Sequence, residues 1–513
     1  MKIFKIIILV LTPAILLGQV KHDYIWIMGD NGEPSFPNEP SATRYGVNIF
    51  DFNGSELNIT RKYQDTDFYL TNASMSDTSG NLLFFTNGCK VFQADGEVME
   101  NGNGLNPGAA WSFGLCPQNG APLFKGSLIL PLPGSNSTYY YFHGTLALGD
   151  GSDPDYTVYQ NHLYLTIIDM SANNGLGKVV LKNDPVVTDT LFGDLQAVRH
   201  ANGEDWWLVT SKGNGNRYFH VLLTKDGVAG VFEQEIGPAA DPFFLANPAF
   251  SPDGTRYARY DRGNQALVFR FDRETGLLGD LVQLEADTTS QGFDGSVAFS
   301  PSGRFLYVNS FERLYQFDLE AADIQSSRVL LGEYDGYKYL DIFPASFGMM
   351  QLAPDCKIYM PTNSATPFYH VIQYPDRKGH ACGFEQRGLP LIATNAGSIP
   401  NFPNYRLGTG HPVCDSTIQL VVHSVPVLPP RAEVLVYPNP AGNYVTIEMP
   451  QVLASGGEWS LYNAVGQRVA LQRMARGAMR VEVALPDVPP GLYFWEMRGG
   501  AQMVDSGKLI VLK

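Results

Sequence analysis

From about Ser74 to Tyr359 the chain resembles itself at intervals of about fifty residues, and this repeat constrains the fold more than any other feature. The clearest copies are Ala249-Phe250-Ser251-Pro252-Asp253-Gly254-Thr255-Arg256-Tyr257 and Ala298-Phe299-Ser300-Pro301-Ser302-Gly303-Arg304-Phe305. A third is Gln351-Leu352-Ala353-Pro354-Asp355-Cys356-Lys357-Ile358-Tyr359, and weaker copies occupy 74–84, 128–136 and 197–207. In each, a strand runs into a tight turn and a second apolar strand runs out. Proline presets φ for such a turn, and glycine accepts φ > 0. A third strand follows, such as Leu267-Val268-Phe269-Arg270-Phe271, then a turn such as Asp272 to Gly276 and an outer strand. Four antiparallel strands exposing two apolar faces must stack radially to bury them. Inner strands are expected near 73, 127, 195, 246, 295 and 347. A seventh blade would pair 399–407 with N-terminal strands at 24–28, 46–52 and 57–63, closing the ring. No amphipathic stretch of 3.6-residue period competes with this reading.

The last eighty or so residues have a different rhythm. Seven short apolar runs occupy 434–437, 444–449, 458–463, 467–471, 479–485, 491–498 and 502–512. Turn residues separate them, and most alternate apolar with polar, which predicts a small β-sandwich. The fold class predicted for the chain is therefore all-β: a seven-bladed β-propeller of WD-like or YVTN-like repeats over 20–410, with six or eight blades as alternatives, then a small Ig-like β-sandwich over 432–513. Residues 411–431 are expected to be a linker, extended through Val425-Pro426-Val427-Leu428-Pro429-Pro430.

Tyr437-Pro438-Asn439-Pro440, Leu461-Tyr462-Asn463 with Gly466, Pro490-Gly491-Leu492-Tyr493, and Gly507-Lys508 to Lys513 stand in fixed order at the end of the chain. With these motifs the block resembles the type A C-terminal sorting domain of the Bacteroidota type IX secretion system. The resemblance implies that the secretion machinery recognises this block, with Pro438, Asn439, Pro440, Gly491, Tyr493, Gly507, Lys508 and Lys513 as the sorting motif. It further implies passage through the periplasm and a final place in the medium or on the cell surface. The N-terminus agrees: Lys2 and Lys5 precede apolar Ile6 to Leu17, and Gly18 precedes Gln19. This reads as a signal peptide over 1–19 and not as a membrane span. The region 24–415 resembles a propeller-like module of Bacteroidota exported proteins. Its signatures are Gly80 to Cys89, Val98 to Gly102, Ile168 to Ser171 with Gly175 to Gly177, and Ile399 to Tyr405. That resemblance implies fold and context only.

Charge excludes one class of partner. The formal net charge is −15, and from Ala432 onward seven basic residues balance seven acidic ones, so the excess lies in the propeller region. A phosphate backbone would be repelled, and nucleic acid is not expected. An exported chain meets oxidising conditions, so its five cysteines can pair. The expected bonds are Cys356–Cys382, from two turns on one face of the last blade, and Cys89–Cys116, leaving Cys414 free. No Cys-x-x-Cys, His-Glu-x-x-His, Gly-x-Ser-x-Gly or Walker loop is present, and the nine histidines read as structural. No cofactor is expected. The acidic loop around Asp150, Asp153 and Asp155 offers clustered oxygens for calcium, without the usual spacing. The rings of Tyr139 to Phe142 and Trp206-Trp207 read either as inter-blade core or as a face of exposed rings that stack on sugars or aromatic ligands, and the core is the expectation. Two functions compete for the propeller. One is a non-catalytic module binding an extracellular glycan or protein. The other is a hydrolase or lyase with a loop-built acidic and histidine site at the channel mouth.

Overall fold

The computed structural model describes residues 20–30, 46–62, 67–68, 70–112, 114–118, 120–123, 125–148, 158–191, 193–240, 247–286, 295–421, 434–449, 456–463, 467–499 and 502–512. The chain divides into two compact units that part between residues 422 and 423.

The first unit opens with a three-stranded antiparallel sheet: Ile25–Asp30, Gly46–Asp51 and Asn58–Lys62. Two meanders follow, Ala73–Ser76 to Val98–Asn103 and Ser127–Pro131 to Lys178–Leu191, merged into one eight-stranded sheet by a parallel contact of Lys178 with Glu100. Separate four-stranded sheets then run from Gln196–Arg199 to Gly227–Glu235, from Ala249–Phe250 to Leu278–Leu284, from Gly295–Phe299 to Val329–Glu333, and from Gln351–Leu352 to Phe384–Asn395. First strands meet first strands: 73–76 touches 127–131, 196–199 touches 249–250, which touches 295–299, which touches 351–352. Meanders whose innermost strands share an axis make a β-propeller.

The repeated turn works as its residues dictate. The Gly254 N–H donates to the Ser251 carbonyl at 2.8 Å with φ +72°, and the Gly303 N–H to Ser300 at 2.8 Å with φ +74°. In the third copy Cys356 holds the glycine position at φ +63° and is tied by a disulfide. Tyr139, Tyr140, Tyr141, Phe142, Trp206 and Trp207 are all buried.

The structure departs from two expectations. Residues 399–407 form no strand and do not pair with the N-terminal sheet; they run along the channel. Asn401 Nδ2 donates to the carbonyls of Ser127 (3.0 Å) and Leu195 (2.9 Å), on two different meanders. The Tyr405 hydroxyl donates to Ile129 O at 2.7 Å, and Asn404 Nδ2 to Pro252 O at 2.8 Å. Ile399, Phe402 and Tyr405 join the core cluster of Trp26, Leu128 and Trp206; burial of each contributes about 1.5–3 kcal/mol. A segment that satisfies carbonyls of several blades with side-chain amides has no need of ladder bonds. The second correction concerns the expected linker, whose residues 411–421 belong to the propeller unit. Ile418 is in the core, and the Leu57 N–H donates to Gln419 O while the Gln419 N–H donates to Ser55 O, both at 2.8 Å. Chain ends do meet on the N-terminal sheet, but through Gln419. On its other sides that sheet is joined to the first and last meanders by Ser74 Oγ to Ile25 O (2.7 Å) and by Asn48 to both backbone groups of Ala393.

The second unit has two antiparallel sheets. One holds Leu435–Tyr437, Tyr444–Glu448 and Arg480–Ala484; the other holds Arg468–Met474, Gly457–Tyr462, Gly491–Gly499 and Gln502–Val511. Alternation decides the faces: Tyr493, Trp495 and Met497 are buried, while Leu492 and Phe494 between them are exposed. Val445, Ile447, Trp459, Leu461, Leu509 and Val511 complete a core drawn from both sheets.

Candidate functional site

In the C-terminal unit the predicted sorting residues converge on the last strand. Asn439, in the turn with Pro438 and Pro440, uses both ends of its amide there. Its Nδ2 donates to Lys508 O and its Oδ1 accepts the Ile510 N–H, each at 2.9 Å. Ala441 continues the contact, donating to Ile510 O at 2.7 Å and accepting from Leu512 N–H at 2.8 Å. The first turn thus covers the outer edge of the strand at Lys508 to Leu512. On the inner edge Gly491 lies opposite Val511 and Tyr493 opposite Leu509, with the Tyr493 hydroxyl donating to Pro489 O at 2.8 Å. Gly507 is glycine because the Trp495 ring lies across it; a Cβ would sit 2.7 Å from that ring. Lys508 is exposed, so its charge is presented to solvent beside the turn. Lys513 lies outside the described residues, as do Asp150, Asp153 and Asp155 of the proposed calcium loop.

The propeller channel holds the second candidate. Beside the 402–406 segment remains a cavity of about 70 Å³, bordered by the inner strands at Gln196, Phe250, Phe299 and Gln351 and by Lys125. Arg406 closes one side in a two-point ion pair with Asp23 (2.6 and 2.7 Å) and also donates to Val413 O at 2.8 Å. Burial pulls the Arg406 pKa down, but the Asp23 carboxylate outweighs it and the net direction is up. Lys125 is 4% exposed and donates to Gln351 Oε1 at 2.8 Å. Burial alone pushes its pKa down to about 7. A buried charge cluster also links two meanders. Arg259 Nη1 donates to Ser211 Oγ at 2.8 Å, and its guanidinium lies 3.8 and 3.9 Å from the Asp194 and Asp261 carboxylates. Sequence reasoning missed Lys125, Arg406 and Arg259. A lysine or arginine sitting just outside or within an apolar strand was the available signal, but its partners lie up to 383 residues away in the chain.

His143, His220 and His370 lie buried in the propeller. His143 is buried between Asn106 Oδ1 (2.6 Å) and Thr166 Oγ1 (2.8 Å), and burial pushes its pKa down to about 3. His220 and His370 are likewise held down to about 4 by burial.

Cys89 and Cys116 are joined, with Cα atoms 5.6 Å apart. The expected Cys356–Cys382 bond is not formed: Cys356 pairs with Cys414 across 5.1 Å, and Cys382 is a buried free thiol. The physical reason is strand spacing. Cys356 sits at the turn after the first strand and Cys382 after the third. Two interstrand steps of about 4.8 Å exceed the reach of a disulfide. The Asp415 N–H donates to Pro354 O at 2.6 Å, which lays Cys414 beside the Cys356 turn instead.

Residues 435–512 match the family described as the secretion system C-terminal sorting domain. The C-terminal unit is thus a sorting domain, and the chain is an exported secretion cargo that carries a β-propeller. The domain implies handling by the type IX secretion machinery, and secretion or attachment to the cell surface. No curated protein matches the chain. Among solved structures it is similar to a dihydro-heme d1 dehydrogenase, NirN, at 11% identity and TM-score 0.36, covering 89% of this chain and 75% of that one. It is similar to the β-propeller domain of Cps50 (Swd1) from Myceliophteria thermophila at 12% identity and TM-score 0.34, covering 62% and 88%. It is also similar to the gluconolactonase XC5397 from Xanthomonas campestris at 13% identity and TM-score 0.29, covering 66% and 94%. Among the described residues no helix is long and apolar enough to cross a membrane.

Proposed function

We propose that the propeller, carried out through the periplasm by its signal peptide and sorting domain, is a non-catalytic module that binds an extracellular glycan or protein. The observation that carries this reading is a small hairpin, Lys338–Tyr339 paired with Phe343–Pro344, between the last two four-stranded sheets. Its turn places Leu340 at φ +56° and Asp341 at φ +60°. Two consecutive left-handed residues without glycine cost about 1–2 kcal/mol each, and exposed apolar side chains gain nothing from folding. Yet Leu340 is 39% exposed and Ile342 61%. The base is rigid. Arg387 pairs with Asp335 at 2.6 and 3.1 Å and lies 4.5 Å over the Tyr337 ring, and Tyr337 and Tyr339 both stand edge-on to Phe368. A strained, apolar tip on a braced aromatic base suits contact with a partner. The 399–407 segment lies against several blades, with Asn401 donating to the Ser127 and Leu195 carbonyls and Asn404 to that of Pro252. The test is a glycan and protein array probed with the full chain and with the double variant Leu340→Ser, Ile342→Ser. Binding that the variant loses by tenfold or more supports the reading. Binding unchanged in the variant removes the hairpin from it, and turnover of an arrayed glycan by the chain would replace it with the hydrolase or lyase alternative.

A further inference from the structure

Lys125 is 4% exposed and is among the residues that line the cavity. It carries three N–H donors. Among the described residues its hydrogen-bond acceptor is Gln351 Oε1, and no carboxylate pairs with it. Asp23 borders the same cavity, but both its oxygens are taken by Arg406. A buried cation without a counter-charge is costly, and native structures pair such groups. The other polar groups around the cavity are engaged. Gln196 Nε2 donates to Asn401 Oδ1 and Gln196 Oε1 accepts the Ala197 N–H; Asn404 Nδ2 donates to Pro252 O and Asn404 Oδ1 accepts the Arg406 N–H; Gln351 Nε2 donates to Leu352 O. What the cavity offers is therefore an amine that burial leaves only partly protonated near pH 7, whose charged form has two N–H donors to spare, and walls from Phe250, Phe299, Met350 and Phe402.

We infer that this cavity binds a short-chain monocarboxylate, its carboxylate on the Lys125 ammonium and its methyl end against the apolar wall. One negative charge neutralises the one unpaired cation. Sulfate or phosphate would bring a second charge and more acceptors than the site has donors. The volume of about 70 Å³ admits a molecule of a few heavy atoms and excludes a drug-sized ligand. The Lys125 backbone, at φ +48°, holds the side chain at a position where glycine would be less strained. This site is independent of the hairpin and survives the failure of that reading.

The probe is sodium acetate, followed by saturation-transfer NMR on the full chain. The expected result is a methyl signal that propionate competes away, that chloride at the same ionic strength leaves in place, and that weakens at least tenfold in Lys125→Met. No signal from the unmodified chain, a signal kept by a folded Lys125→Met, or loss to chloride overturns the inference. Should Lys125→Met fail to fold, the unmodified chain labelled with ¹³C-lysine answers the same question. Bound carboxylate favours the ammonium, so acetate should raise the Lys125 titration midpoint by at least a unit; an unmoved midpoint contradicts the site.

Discussion

The two units bury polar groups in opposite ways. Inside the propeller lie His143, His220, His370, Lys125, the Arg406–Asp23 pair and Arg259 with Asp194. In the sorting domain the core cluster is apolar throughout, and among its described residues the buried polar side chains are Thr446 and Ser460. A small domain has little surplus stability and so keeps its interior dry. A large ring can carry buried charge where amides and ion pairs connect blades. The difference says that the propeller depends on contacts between distant segments, while the sandwich depends on alternation within each strand.

Acid should separate the two most strongly. Three of the buried histidines, His143, His220 and His370, are neutral in the folded propeller, with pKa values pushed down to about 3, 4 and 4, and burial lowers that of His22 as well. Unfolded, they bind protons below about pH 6.5. The unfolded chain therefore takes up more protons, and stability falls as pH drops from 6.5 toward 4. Each contributes roughly 2–3 kcal/mol of that loss. Asp194 and Asp355, whose carboxyls burial pushes up, act in the opposite sense. Residues 432–513 contain no histidine. Calorimetry of the full chain at pH 7 and 4.5 should show the propeller transition falling by roughly 10 °C and the sandwich transition moving far less. His220→Leu should recover part of the fall, since neither ring nitrogen has a hydrogen-bond partner among the described residues.

Breaking the Arg406–Asp23 pair has the next largest effect. Arg406→Ala strands the buried Asp23 carboxylate and should destabilise the propeller by about 3–5 kcal/mol, with the sandwich untouched. The double variant Asp23→Leu, Arg406→Met should restore much of it, and a double variant as unstable as the single would deny the pair that role. The disulfides give a similar, slightly smaller effect. Cys356→Ser opens a loop of 58 residues and should cost about 4 kcal/mol at most, whereas Cys382→Ser should cost under half of that. Non-reducing peptide mapping should yield Cys356 linked to Cys414. The smallest change is confined to the other unit. Gly507→Ala drives a Cβ into the Trp495 ring and should destabilise the sandwich by about 1–3 kcal/mol, leaving the propeller transition where it was.

Legibility followed the same division. Each of the seven runs read from the C-terminal sequence is a strand within two or three residues at either end, because each carries its own period and turn residues. The propeller repeat was equally local: the expected inner strands at 73, 127 and 295 begin where the structure has them. What failed was non-local. Ile399-Pro400-Asn401-Phe402-Pro403 has the apolar content of a strand, but Asn401 and Tyr405 find acceptors on other blades. Cys414 looked like linker, and only the path of the chain past Pro354 brings it to Cys356. Lys125 gave no sign of burial, because its surroundings come from four strands far apart in sequence.

The two units hold separate tasks, address in residues 435–512 and cargo in the propeller. The most direct measurement removes residues 432–513 in a host that carries type IX machinery, then follows the chain by fractionation and the melting of the purified truncated protein. The expected result is a chain trapped in the periplasm, its export reduced at least tenfold, with the propeller transition unchanged. A truncated chain that reaches the medium or surface at the yield of the full chain would contradict it.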